Sequence, residues 1–200
     1  KSQNGFTLVE LAIVMIIIGL LIGGALKGQE MIANANITST IKDMNSFDAM
    51  ISSFKDKYGS LPGDIDNADT RIANCDSVPC VPNDGTQGNN EVEPQPGEAH
   101  SRETESTAFW VQLAASELLT GVNVASTSDG TLNAGDEIPE ASVGGGFVVG
   151  HLPSGSTLEN QVATATSRQG HYIALTDDPE SALADENSPL RANQVARIDR

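Results

Sequence analysis

The sequence predicts an α+β fold: one long N-terminal α-helix packed against a loop-rich globular domain that holds a second helix and a small antiparallel β-sheet. Three observations predict it. An apolar run from Phe6 to Leu26 passes into amphipathic spacing that continues to Tyr58. A second helical pattern with one face of Phe109, Trp110, Leu113, Ala114 and Leu118 lies in mid-chain. After Gly130 come short β-like runs, separated by Gly, Ser and Asn turns.

The first element is expected over residues 6–58. At about 1.5 Å per residue its apolar part, Phe6–Leu26, is long enough to cross the hydrocarbon core of a bilayer. One ionisable side chain, Glu10, lies within that run, one turn from its start. A carboxylate at such depth is costly, so it points to a function and needs a partner. A secretory signal peptide places its small-residue cleavage site after the apolar stretch; here the small-residue junction, Gly5, precedes it.

Gly5-Phe6-Thr7-Leu8-Val9-Glu10 resembles the N-terminus of type IV pilins and of the pseudopilins of type II secretion. The resemblance implies cleavage by a prepilin peptidase between Gly5 and Phe6, N-methylation of Phe6, and assembly through Phe6, Thr7 and Glu10. Residues 1–5 are then a leader, and their presence suggests an unprocessed precursor. Residues 6–28 form the membrane-spanning and filament-core half of the helix, 29–58 its amphipathic half, and 59–200 the head of a pilin ladle. The implied partners are copies of the chain in a helical filament, the peptidase, the inner-membrane pilus assembly platform, and the membrane before assembly. The implied destination is an extracellular pilus or a periplasmic pseudopilus. Lys57-Tyr58-Gly59-Ser60-Leu61-Pro62-Gly63-Asp64, the Trp110 helix and His171-Tyr172-Ile173-Ala174-Leu175 extend the likeness to a branch of prepilin-like proteins in Gram-negative bacteria. The family pattern also suggests a native chain continuing past Arg200.

In the amphipathic half, Ile37, Ile41, Met44, Phe47, Ile51, Phe54 and Tyr58 recur in steps of three and four, a stripe the globular domain should cover. Lys42, Asp43, Ser46, Asp48, Lys55 and Asp56 lie opposite, on a solvated or subunit-facing side. Gly59 is the expected stop. Gly19, Gly23, Gly24 and Gly28 interrupt the helix near the membrane exit, which suits either close helix packing or local melting. Type IV pilins commonly carry a helix-breaking proline in this part; the matching residue here is Lys27.

Residues 62–105 read as loop. Cys75 and Cys80 close a Pro-containing turn, and behind a membrane anchor with an exported domain a disulfide is expected, contributing about 2 kcal/mol. Asn83–Glu91 resembles a calcium loop in composition, with Asp84, Asn89 and Glu91 as candidate ligands. Its spacing does not match an EF-hand, and a polar turn is the favoured reading. The second helix is expected over Thr104–Leu119 with Gly121 as its stop and Trp110 as a core anchor. Gly146–Gly150 and Gly170–Leu175 are the expected strands, Leu158–Ala165 a weaker one, and Gln194–Arg200 a polar tail.

The formal charge of −16 argues against a nucleic-acid partner, which needs clustered Lys and Arg. One Trp, two Tyr and five Phe allow only a modest core. No nucleophile elbow, phosphate loop or HExxH motif occurs, and His100, His151 and His171 are scattered, each expected at the surface or in a strand. No enzyme activity and no cofactor are expected, calcium being the one candidate. The expected role is a structural subunit of a type IV pilus. The alternative is a minor pilin, a type II secretion pseudopilin or a pilus-borne adhesin. Glu10 weighs against the tip subunit of a secretion pseudopilus, which typically lacks the acidic residue.

Overall fold

The computed structural model describes residues 7–94, 99–123, 131–153 and 169–180. Helix α1 runs unbroken over Leu8–Tyr58, 51 residues and about 76 Å. Its backbone remains helical through Gly19, Gly23, Gly24 and Gly28. Gly59 ends it in the left-handed region (φ 74°), with its N–H returned to Lys55 O at 2.8 Å. Arg71, from the single turn α2 (Ala68–Arg71), donates to the carbonyl of Tyr58. That turn falls inside the stretch expected as loop.

The covered stripe of α1 follows the expected one except at Met44, and Ile51 and Tyr58 pack against the core from its edge. Ile37, Thr40, Phe47 and Phe54 are buried, whereas Met44 is 38% exposed and Asp43 and Ser46, expected opposite, are half-buried. Thr40, Phe47 and Phe54 stand seven residues apart, so the centre of contact follows one narrow seam. Phe47 is where three elements meet: its ring packs edge-on against Trp110 at 4.8 Å and Phe147 at 5.1 Å.

Helix α3 (Glu105–Ala115) is shorter than expected. Glu117 takes the left-handed conformation (φ 63°), its N–H bonds Ala114 O, and that of Leu118 bonds Leu113 O. This Schellman closure turns Leu118 and Leu119 back onto the core four residues before Gly121. At the other end Thr104 makes no side-chain cap; Asp84 Oδ2, from a distant loop, accepts the Glu105 N–H at 3.1 Å.

Strand β1 (Gly146–Leu152) pairs antiparallel with β2 (Gly170–Thr176), Gly146 facing Thr176 and His151 facing His171. β1 is buried throughout, its second edge met by Pro139, Ser106 and Val92 through bonds from Phe147, Val149 and His151. At Gly146 an added Cβ would stand 2.5 Å from Ile138 Cδ1, so a side chain there would have to displace the tip of the buried Ile138. The observed elements give the pilin-like α+β fold. Leu158–Ala165 and Gln194–Arg200 lie outside the described residues.

Candidate functional site

The start of α1 is built by reciprocal capping. Thr7 is the N-cap; its N–H and its hydroxyl both donate to Glu10 Oε2, each at 2.7 Å, and Thr7 Oγ accepts the Glu10 N–H at 3.3 Å. The carboxylate is thus drawn back toward the helix N-terminus, where the partial positive charge of the unpaired N–H groups lies. Around and beyond it the helix is bare: Leu8, Leu20 and Met31 are 87%, 77% and 65% exposed. Leu8–Tyr58 is long and apolar enough to cross a membrane, and none of its most apolar window is buried. Gly19 and Gly23, and Gly24 and Gly28, are each four apart, and a Cβ added at any of them meets nothing within 4 Å. These are open backbone faces of the kind that allow close helix approach. Lys27 pairs with Glu30 at 2.9 Å just past the apolar run.

A family model for the prokaryotic N-terminal methylation motif matches residues 1–26. The chain carries the signature of type IV pilins and pseudopilins. No curated protein and no solved structure matches it. The signature implies processing by a prepilin peptidase and assembly of the pilus kind, and with the bare apolar helix it fits a membrane-anchored precursor. Gly5 and Phe6 lie outside the described residues, so Thr7 and Glu10 are the part of the expected assembly site whose geometry is visible.

The expected disulfide is present. Cys75 and Cys80 are bonded, with Cα atoms 5.2 Å apart, and both are buried in the core. Gln112 secures this loop from within α3: its Nε2 donates to Cys80 O at 2.9 Å and its Oε1 accepts the Gly63 N–H at 2.7 Å. Gly63 itself is irreplaceable there, with φ 83° and an added Cβ 2.4 Å from Glu105 O.

The three calcium candidates are directed to separate partners. Asp84 accepts from Gln87 and from the Glu105 N–H, Asn89 Oδ1 accepts the Glu91 N–H, and Glu91 Oε2 lies 3.3 Å from His151 Nδ1. Among the described residues no group of three or more His, Cys, Asp or Glu is placed to hold a metal ion.

The carboxylate that organises this segment lies in the stretch expected as loop. Asp64, 2% exposed, accepts the N–H groups of Gly88 and Asn89 on Oδ1 and of Asn90 on Oδ2. Burial pushes its carboxyl up, and the three N–H bonds oppose that. Pro-Gly before an acidic residue at a helix exit is the local signal that could have marked it.

The histidines are not scattered in space. His151 and His171 oppose each other across the β-ladder with ring centroids 5.0 Å apart. His100, expected at the surface, is 3% exposed, both ring nitrogens lack a partner, and burial lowers its pKa to about 4.

Proposed function

We propose that the chain is a structural subunit of a type IV pilus filament. Prepilin peptidase cuts between Gly5 and Phe6, and Phe6 is N-methylated. The apolar half of α1 then leaves the inner membrane for the filament core, and the head becomes the outer surface. The observation that carries this reading is a helix whose C-terminal half is the spine of the head while its N-terminal half is bare, with Glu10 the one charge in the apolar run. A carboxylate in a bundle of such helices requires a cation. The amine of Phe6, ordinarily protonated below about 7.7–8.0 and still basic when methylated, is that cation when a neighbouring subunit supplies it. The pair sets axial register. Thr7 holds the carboxylate in place before and during the exchange of partners. The role assigned is structural, with no reaction placed on the head.

The test is to isolate surface filaments, identify their main subunit and determine its N-terminus by mass spectrometry. N-methylated Phe6 is the expected result. An intact Lys1 in assembled filaments sinks the reading. Methylated Phe6 on a chain that is scarce in filaments, or confined to the periplasm, assigns it instead to a minor pilin or a secretion pseudopilin.

A further inference from the structure

Glu105 opens α3 and is fully buried. One of its oxygens, Oε2, accepts the Glu93 N–H at 3.0 Å. The other, Oε1, is buried without a hydrogen-bond partner; the Thr86 hydroxyl acts on the same carboxyl, yet neither it nor Oε1 completes a bond. The charged groups that act on Glu105 are Asp84, from the loop, and Asp64, from the turn after α1, both carboxylates. The guanidinium nearest in sequence, Arg102, is held by Glu137 at 2.9 Å. On the β1 side His151 is turned to Glu91. An ionised Glu105 is therefore a buried negative charge facing two others, while a protonated one is a neutral acid with a hydroxyl to donate.

The segment it holds is a continuous strap. Gly88, Asn89 and Asn90 hang on Asp64, and the buried Val92 accepts from the His151 N–H through its carbonyl. Glu93 is bonded on both sides, its N–H to Glu105 and its carbonyl to the Ser106 N–H at 3.0 Å. Glu105 thus closes the last rung of the strap, and Asp84 on the same strap caps α3 through the Glu105 N–H.

We propose that the buried carboxyl of Glu105 and the 84–93 strap form a proton-dependent latch, closed while Glu105 carries its proton and loosened when it ionises. Burial and the two neighbouring carboxylates act in the direction this needs, raising the carboxyl to about 7. Because the closed form binds the proton more tightly than the open form, closure is strongest on the acid side and weakens as pH rises toward neutrality.

The experiment is amide hydrogen exchange on the full chain in detergent micelles with EDTA, corrected for intrinsic exchange rates. Protection of the Glu93 and Ser106 amides is expected to fall about tenfold from about pH 6 to about pH 8. In Glu105→Gln it is expected to be flat. In Asp84→Asn, which removes a neighbouring charge but keeps an oxygen for the Glu105 N–H, the fall is expected to shift to lower pH, because loss of that repulsion lowers the carboxyl's pKa in the closed form. A flat wild-type profile overturns the latch, as does a Glu105→Gln profile that still falls. Recovery of protection at about pH 8 on adding calcium alone also overturns it, since a cation rather than a proton then supplies the missing charge.

Discussion

The apolar half of α1, Leu8 to Gly28, and its amphipathic half, Gln29 to Tyr58, share one unbroken backbone and differ in what covers them. Leu20 on the first half is 77% exposed, whereas Phe47 and Phe54 on the second are 2% and 0% exposed. The first half carries its hydrophobicity all round and is covered by nothing among the described residues. The second confines it to a seam seven residues in period, met by Trp110 and Phe147. A helix with apolar residues on every side belongs in lipid or in a bundle, and one with a single apolar stripe belongs on a domain. The comparison teaches that the head uses only the second half of the helix, so that on the proposed function folding of the head and assembly of the subunit are separable.

Substitutions should therefore fall into two classes. Glu10→Ala breaks assembly and leaves folding alone. Surface filaments are expected to drop to below about a tenth of wild type, because the neighbour's amine loses its counter-charge, while the melting temperature of the head is unchanged. Filaments at wild-type abundance would end the register mechanism. Phe47→Ala does the reverse. It removes the ring joining α1, α3 and β1 and is expected to cost about 3–5 kcal/mol in denaturant unfolding, with membrane insertion of the precursor intact. If insertion fails as well, the two halves are not independent.

Within the head, acid acts through buried groups. His100 is neutral when buried, with its pKa lowered to about 4. As pH falls from about 6.5 to about 4 the unfolded chain takes up the proton first, and up to about 3 kcal/mol of stability is lost. Glu105 works in the opposite sense, being raised to about 7, so its contribution grows over part of that range. In His100→Leu the acid loss should shrink or reverse in pH-dependent melting; an unchanged profile refutes the assignment. The smallest effect is expected from Cys75→Ser combined with Cys80→Ser. Loss of the short loop closure costs about 2 kcal/mol by thermal melting, and because the loop sits on Gln112 in the head, filament register should be untouched.

Much of this was legible in the sequence because the signals are local. Hydrophobic period, Gly59 in a left-handed stop, the Cys pair and the strand runs each depend on neighbours a few residues away. The errors also have physical causes. Met44 fits a helical stripe as well as Phe47 does, but which side of a broad stripe is covered depends on where Trp110 and Phe147 stand. Gly121 suggested the end of α3, yet Glu117 closes it, since burying Leu118 and Leu119 offsets a strained non-glycine residue.

The sequence by itself determined the long helix, the Gly5-Phe6 junction with Glu10 beyond it, and the α+β order of the elements. Only the tertiary structure decided that α3 buries Glu105, Ser106, Thr107 and Gln112 beside its aromatic residues. Polar residues read as solvent-facing when only their own helix is considered. They go inside when distant backbone needs partners, and here Gly63, Cys80, Glu93 and Val149 supply the groups that Gln112, Glu105 and Ser106 satisfy.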